Sequence, residues 1–111
     1  MHFFTIGAMF RDEAHILKEW IEHYLFHGVD HIYLINDRST DNFRPIVAPY
    51  IEQGRVTMYE APDIPADGKQ NKMYNKFYQK HLRETRWFGI FDLDEFLYSP
   101  QTINIKEILR R

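Results

Sequence analysis

The chain has no cysteine, no strong excess of charge and no long apolar run. Without cysteine it has neither disulfides nor thiolate sites, which fits a reducing compartment. The net charge of −2 provides no basic field for phosphates, which argues against a general nucleic-acid-binding protein. The apolar opening, residues 1–10, is too short for a secretion signal or a membrane span. We therefore expect a cytoplasmic protein without a membrane span.

The chain instead has an ample supply of core-forming residues. Its 111 residues include nine Phe, seven Tyr and two Trp, and they contain neither a repeat nor a low-complexity segment. This length corresponds to one domain at most. We therefore treat residues 1–111 as a single continuous domain.

Apolar runs that are typical of strands alternate with segments of helical periodicity. The predicted strands are residues 2–9, 31–35, 55–60 and 87–91, and the predicted helices are 13–27, 43–53 and 69–83, with another beginning near residue 106. Pro49 is expected to kink or shorten the second helix, and Asp12 to cap the first. The alternation predicts an α/β fold with a parallel sheet flanked by helices. The inward helix positions are Leu17, Trp20, Ile21, Tyr24 and Leu25, then Phe43, Ile46, Val47, Tyr50 and Ile51, then Met73, Tyr74, Phe77, Tyr78 and Leu82.

Polar clusters follow three of the predicted strands, namely residues 11–13, 37–41 and 92–94. Because the carboxyl ends of parallel strands meet at one edge of a sheet, the three clusters should share one ligand site. We expect Asp37 to face the ligand, while Ser39 and Asp41 cap the second helix.

The last cluster, Asp92-Leu93-Asp94, directly follows a run that is typical of a buried strand. Two carboxylates at a strand end suit magnesium or manganese, which commonly keep phosphate oxygens as further ligands. The simpler alternative is a pair of solvated carboxylates or a helix cap. Leu93 should point into the core.

These segments, together with the stretches at residues 17–24 and 27–33 and Phe91-Asp92-Leu93-Asp94-Glu95-Phe96-Leu97, match a known pattern in order and spacing. They resemble the amino-terminal half of inverting glycosyltransferases of the family 2-like and family 92 kind. The resemblance implies a GT-A fold, in which a Rossmann-like first half binds a nucleotide-diphosphate sugar and a second half binds the acceptor.

The resemblance also implies roles for individual residues. Asp92 and Asp94 correspond to the DXD motif, with Asp92 near the ribose or a metal-bound water and Asp94 on a manganese or magnesium ion. Asp37 resembles the acidic residue that contacts the base or ribose. Arg11 and Glu13 would border the nucleotide.

Further along the chain, the resemblance places Asn71 and Lys72 where such enzymes touch the nucleotide or its phosphates. On spacing alone, the lysines at positions 69, 72, 76 and 80 read as a solvated helix face, whose first members could lean toward phosphate. The catalytic base is expected beyond residue 111, in an acceptor half that this sequence lacks.

The function implied is transfer of a sugar, with inversion, from a nucleotide-diphosphate donor to a glycan, lipid or protein hydroxyl. Two alternatives are a non-catalytic nucleotide-sugar-binding module or inactive fragment, and a phosphohydrolase of the haloacid dehalogenase type. Glu95 and Phe96 depart from the small residue and threonine that usually follow the aspartate pair in that second family. A truncated half would also leave a sheet edge uncovered, through which copies could associate.

Overall fold

The computed structural model describes residues 2–62 and 68–94. Strands and helices alternate through both ranges, which confirms the predicted α/β fold. The region near residue 106 lies outside the described residues. The elements are β1 (His2–Phe10), α1 (Ala14–Phe26), β2 (His31–Asn36), α2 (Arg44–Glu52), β3 (Val56–Glu60), α3 (Lys69–Tyr78), a 3-10 turn (Gln79–His81) and β4 (Thr85–Ile90).

The four strands form a single parallel sheet in the order β3-β2-β1-β4. Ile6 of β1 lies opposite Ile32 of β2 on one side and Gly89 of β4 on the other. After β3 the chain therefore crosses to the far side of β1. Parallel α/β sheets bind their ligands at such a change of direction, outside the carboxyl ends of the strands.

The main core lies between one face of the sheet and helices α1 and α2. The predicted inward residues of α1 are confirmed, since Leu17, Trp20, Ile21 and Tyr24 are fully buried. Helix α3 packs on the opposite face. No helix within the described ranges is long and apolar enough to span a bilayer.

Two predicted inward helix positions are wrong. Leu82 is 52% exposed because α3 ends at Tyr78, and the 3-10 turn that follows carries residue 82 away from the helix face. Ile51, in the last turn of α2, is 42% exposed. The prediction of a buried strand at residues 87–91 is also wrong, since β4 is the last strand of the described sheet and exposes 44% of Trp87 and 46% of Ile90. Pro49 lies inside α2 without ending it.

Helix α3 is fixed to the sheet by Tyr78, whose ring lies directly over Gly7. The buried Tyr78 hydroxyl lies 2.7 Å from the carbonyl oxygen of Tyr33 and 3.1 Å from that of Ala8, so its single hydrogen is shared between the two acceptors. A Cβ atom at Gly7 would come within 2.5 Å of the Tyr78 ring. Gly7 is therefore needed for the close approach of α3.

We predict that Gly7→Ala lowers the free energy of unfolding by roughly 1–3 kcal/mol, since an added methyl group overpacks a site that cannot yield. Gly89→Ala is the matched control. Its Cβ would meet the end of the half-buried Phe91 side chain, which, unlike that of Tyr78, is not held by hydrogen bonds and can give way more easily. Urea unfolding of both variants measures the difference, and an equal loss in the two would contradict the role given to Tyr78.

Candidate functional site

The three predicted polar clusters meet at an open cleft of about 440 Å³ at the carboxyl edge of the sheet. This volume lies within the range of small-molecule sites. The cleft draws side chains from the ends of β1, β2 and β4 and from the start of α3. Its lining residues are Met9, Glu13, Asp37, Lys69, Gln70, Asp92, Leu93 and Asp94.

Asp12 joins the loop after β1 to the loop after β2. Its Oδ1 accepts hydrogen bonds from the backbone N–H groups of Thr40 (2.6 Å) and Asp41 (3.1 Å), and its own N–H donates to Ser39 Oγ (2.9 Å). The bond from Thr40 is the main reason why the pKa of the Asp12 carboxyl is lowered. Asp12 therefore does not cap α1 as predicted, because its left-handed backbone (φ 53°) directs the carboxylate to the neighbouring loop.

The cap of α1 comes from that neighbouring loop. Asp41 Oδ2 accepts a hydrogen bond from the backbone N–H of Ala14, the first residue of α1, at 2.9 Å. The prediction that Ser39 and Asp41 cap α2 is thus wrong. Helix α2 begins after Phe43, which makes no side-chain capping bond, so both side chains are free to bond the β1 loop instead.

The loop that carries Asp92 and Asp94 is anchored in the main core. The indole of Trp20 donates to the Asp92 carbonyl at 3.0 Å, and Leu93 is 1% exposed, as predicted. Both aspartates are exposed at the cleft. Gln70 donates to Asp92 Oδ1 at 3.4 Å.

Glu13 adds a third carboxylate beside this pair. Its pKa is raised, first by burial and then by the negative charges of Asp94 and Asp92. The residues described contain no preformed set of three His, Cys, Asp or Glu ligands. Magnesium and manganese need no such set when phosphate supplies the remaining ligands, since one or two carboxylates then suffice. The exposed aspartates, with Glu13 nearby, fit a cation of this kind.

Asp37 also lines the cleft, where Lys69 forms a close ion pair with it. Lys69 Nζ is 2.5 Å from Asp37 Oδ1, and the lysine side chain is only 4% exposed. Burial by itself raises the pKa of Asp37, but hydrogen bonds from Lys69 and Arg38 outweigh it and lower the pKa. The expectation of a solvated lysine face is therefore wrong for Lys69.

Three predicted site residues lie outside the lining of the cleft. Arg11, Asn71 and Lys72 are all exposed, and the first two residues of α3, Lys69 and Gln70, face the cleft instead. Gly68, whose φ of 68° is left-handed, sets this start of the helix. Donor contacts by Arg11, Asn71 and Lys72 stay predictions.

Fold and site together define a Rossmann-like α/β domain with an acidic ligand cleft at the switch point of its sheet. The chain belongs to glycosyltransferase family 92, whose family model matches residues 3–111. This membership favours the glycosyltransferase interpretation of the aspartate pair over the phosphohydrolase one.

Individual relatives agree with this assignment. A glycosyltransferase family 92 protein of Ricinus communis is 29% identical over 85% of this chain and 16% of its own length. A galactan beta-1,4-galactosyltransferase of Arabidopsis thaliana, GALS2, is 26% identical over 84% of this chain and 19% of its own length. A family 92 protein of Oryza sativa is 25% identical over 98% of this chain and 18% of its own length. The chain thus spans less than a fifth of each of these relatives.

We predict that Asp41→Ala lowers the free energy of unfolding by about 1 kcal/mol, because α1 loses its N-terminal acceptor. Asp41→Asn keeps an amide oxygen for the Ala14 N–H and should retain most of the stability. Urea denaturation of the two variants tests this. If the two variants lose the same free energy of unfolding, Asp41 does not stabilise the protein through the capping bond.

Proposed function

We propose that this chain is the donor-binding part of a glycosyltransferase that moves a sugar from a nucleotide-diphosphate donor to an acceptor hydroxyl. The observation that carries the proposal is the convergence of Glu13, Asp92 and Asp94 in one cleft at the switch point of the sheet. Family membership supports the reaction class, and the site supports the kind of donor.

The charge of the cleft favours a donor held through a divalent cation. Its lining contains four carboxylates and a single lysine, which is already paired with Asp37. A diphosphate would be repelled by such a surface unless a cation lay between them. Asp94, with Asp92 beside it, would hold manganese or magnesium, which neutralises the charge that develops on the leaving diphosphate.

The surrounding residues keep the aspartate pair in place for this task. The Trp20 indole fixes the Asp92 backbone, and Leu93 anchors the loop in the core. The Gln70 amide contacts the Asp92 side chain from α3. Donor binding therefore requires little rearrangement of the loop.

The acceptor side of the reaction is proposed for the remainder of a family 92 protein. Inversion requires a base that takes the proton of the acceptor hydroxyl on the face opposite the leaving group. Since the matched relatives are more than five times as long as their matched segments, there is ample chain to provide it. GALS2 is named as a galactosyltransferase, so a nucleoside diphosphate galactose belongs among the first donors tested.

Calorimetry with uridine, guanosine and adenosine diphosphates and a nucleoside diphosphate galactose, with and without manganese, tests the proposal. We expect at least one ligand to bind in a manganese-dependent manner. Asp94→Asn should weaken that binding roughly tenfold or more, as loss of a group that supports a metal typically does. Glu19→Gln removes one charge from the exposed face of α1 and should change nothing.

The outcomes separate the parts of the proposal. Binding that is independent of metal, or unaffected by Asp94→Asn, would remove the metal role. Failure to bind any of these nucleotides would overturn the donor site itself. Donor binding without transfer is the expected result for this chain, because the base is proposed for the remainder of a family 92 protein, and transfer by this chain alone would refute that division.

A further inference from the structure

Lys69 stands apart from the other cleft residues because it is charged and almost completely buried. We propose that Lys69 is a positioning residue, which holds Asp37 so that one carboxylate oxygen is fixed as an acceptor for a ribose hydroxyl of the donor. This inference rests on the proposed nucleotide-diphosphate donor. It assigns a role to a residue for which the sequence predicts a solvated helix face that could lean toward phosphate.

Burial decides between positioning and direct phosphate binding. The Lys69 side chain is 4% exposed, whereas that of Asp37 is 14% exposed. Although Lys69 lines the cleft, so little of its side chain is exposed that it offers a phosphate little surface while it is paired with Asp37. Moving the ammonium away toward a phosphate would leave a partly buried carboxylate without its closest partner, which is strongly unfavourable.

Among residues 2–62 and 68–94, the hydrogen bonds to the Asp37 side chain all go to one of its oxygens. Lys69 Nζ lies 2.5 Å and Arg38 Nε 3.3 Å from the same atom, Oδ1. The backbone N–H of Asp37 donates to the carbonyl of Phe10 at 2.8 Å, which ties the residue to β1. No hydrogen bond to Oδ2 is found within the described part of the chain, so this oxygen can accept a bond from a ligand.

The charge of the Asp37 carboxylate determines which group of a ligand can bind to Oδ2. The two cations lower the pKa of Asp37 although burial opposes them, so the carboxylate stays ionised at neutral pH. An ionised carboxylate only accepts hydrogen bonds. It therefore favours hydrogen-bond donors such as the hydroxyl groups of a ribose and disfavours a phosphate, which places the sugar of the nucleoside beside Asp37.

Lys69→Met and Lys76→Met form the matched test pair. Both lysines lie in α3, but Lys76 is exposed and outside the cleft lining. Carbon-13 NMR titration of the Asp37 carboxyl provides a readout that needs no ligand. We expect a low pKa for Asp37 in the wild type and in Lys76→Met, and a clear rise in Lys69→Met, where burial remains but the main cation is lost.

Calorimetry then tests the consequence for binding. The probes are the nucleoside diphosphate that binds the wild type with manganese and its 2′,3′-dideoxy analogue, which lacks both hydroxyls. We expect the wild type and Lys76→Met to prefer the ribose form roughly tenfold or more, because hydrogen bonds to ionised groups are among the stronger ones. Lys69→Met should lose most of this preference, chiefly by weaker binding of the ribose form.

Several outcomes would overturn the inference. If Lys69→Met weakens both probes equally, Lys69 serves the phosphates instead. If the pKa of Asp37 does not change in Lys69→Met, the lysine does not hold the carboxylate. Should that variant fail to fold, a wild-type Asp37 pKa at or above the ordinary value contradicts the pairing equally well. A wild type that binds no nucleotide refutes the proposed function, while the Asp37 titration still tests the ion pair.

Discussion

The carboxylate of Asp12 is the interaction on which the cleft depends. It accepts backbone hydrogen bonds from the loop after β2, and the carboxylate of Asp41 in that loop accepts one from the backbone N–H of Ala14 in the first turn of α1. Two strand ends that would otherwise carry separate loops thereby form one continuous wall. Glu13 and Asp37 lie on this wall at defined positions, so the geometry of any ligand site here follows from the exchange between the loops.

The other walls are fixed by equally specific contacts with the core. Tyr78 seats α3 against the sheet over Gly7, and this brings Lys69 and Gln70 to the cleft. Trp20, fully buried in α1, holds the carbonyl of Asp92 from below. The exposed, charged residues of the cleft are therefore supported by buried, hydrogen-bonded aromatic residues, which is how a preformed binding site is built.

Much of this structure could be predicted from the periodicity of its hydrophobic residues and from the polar residues that follow its strands. The spacing of Leu17, Trp20, Ile21 and Tyr24 revealed the buried face of α1, and the polar clusters after the strands revealed the cleft edge. Contacts between distant segments were not predictable. Asp12 and Asp41 each look like a cap for the next helix, and only the packed loops show that they serve neighbouring elements. In the sequence, Lys69 is indistinguishable from the other three lysines of its series. Its burial depends on where α3 begins, and the left-handed Gly68 before it marks that start.

The most direct test of the account is paramagnetic NMR with manganese in the presence of a bound nucleoside diphosphate, with magnesium as the diamagnetic reference. A metal held by Asp92 and Asp94 should broaden the amide signals of Asp92, Leu93, Asp94 and Glu13 first. The histidines at the amino end of the sheet, His2 and His31, should be affected little. Broadening centred on those histidines, or spread without preference over exposed acidic residues, would contradict a donor site at the carboxyl edge.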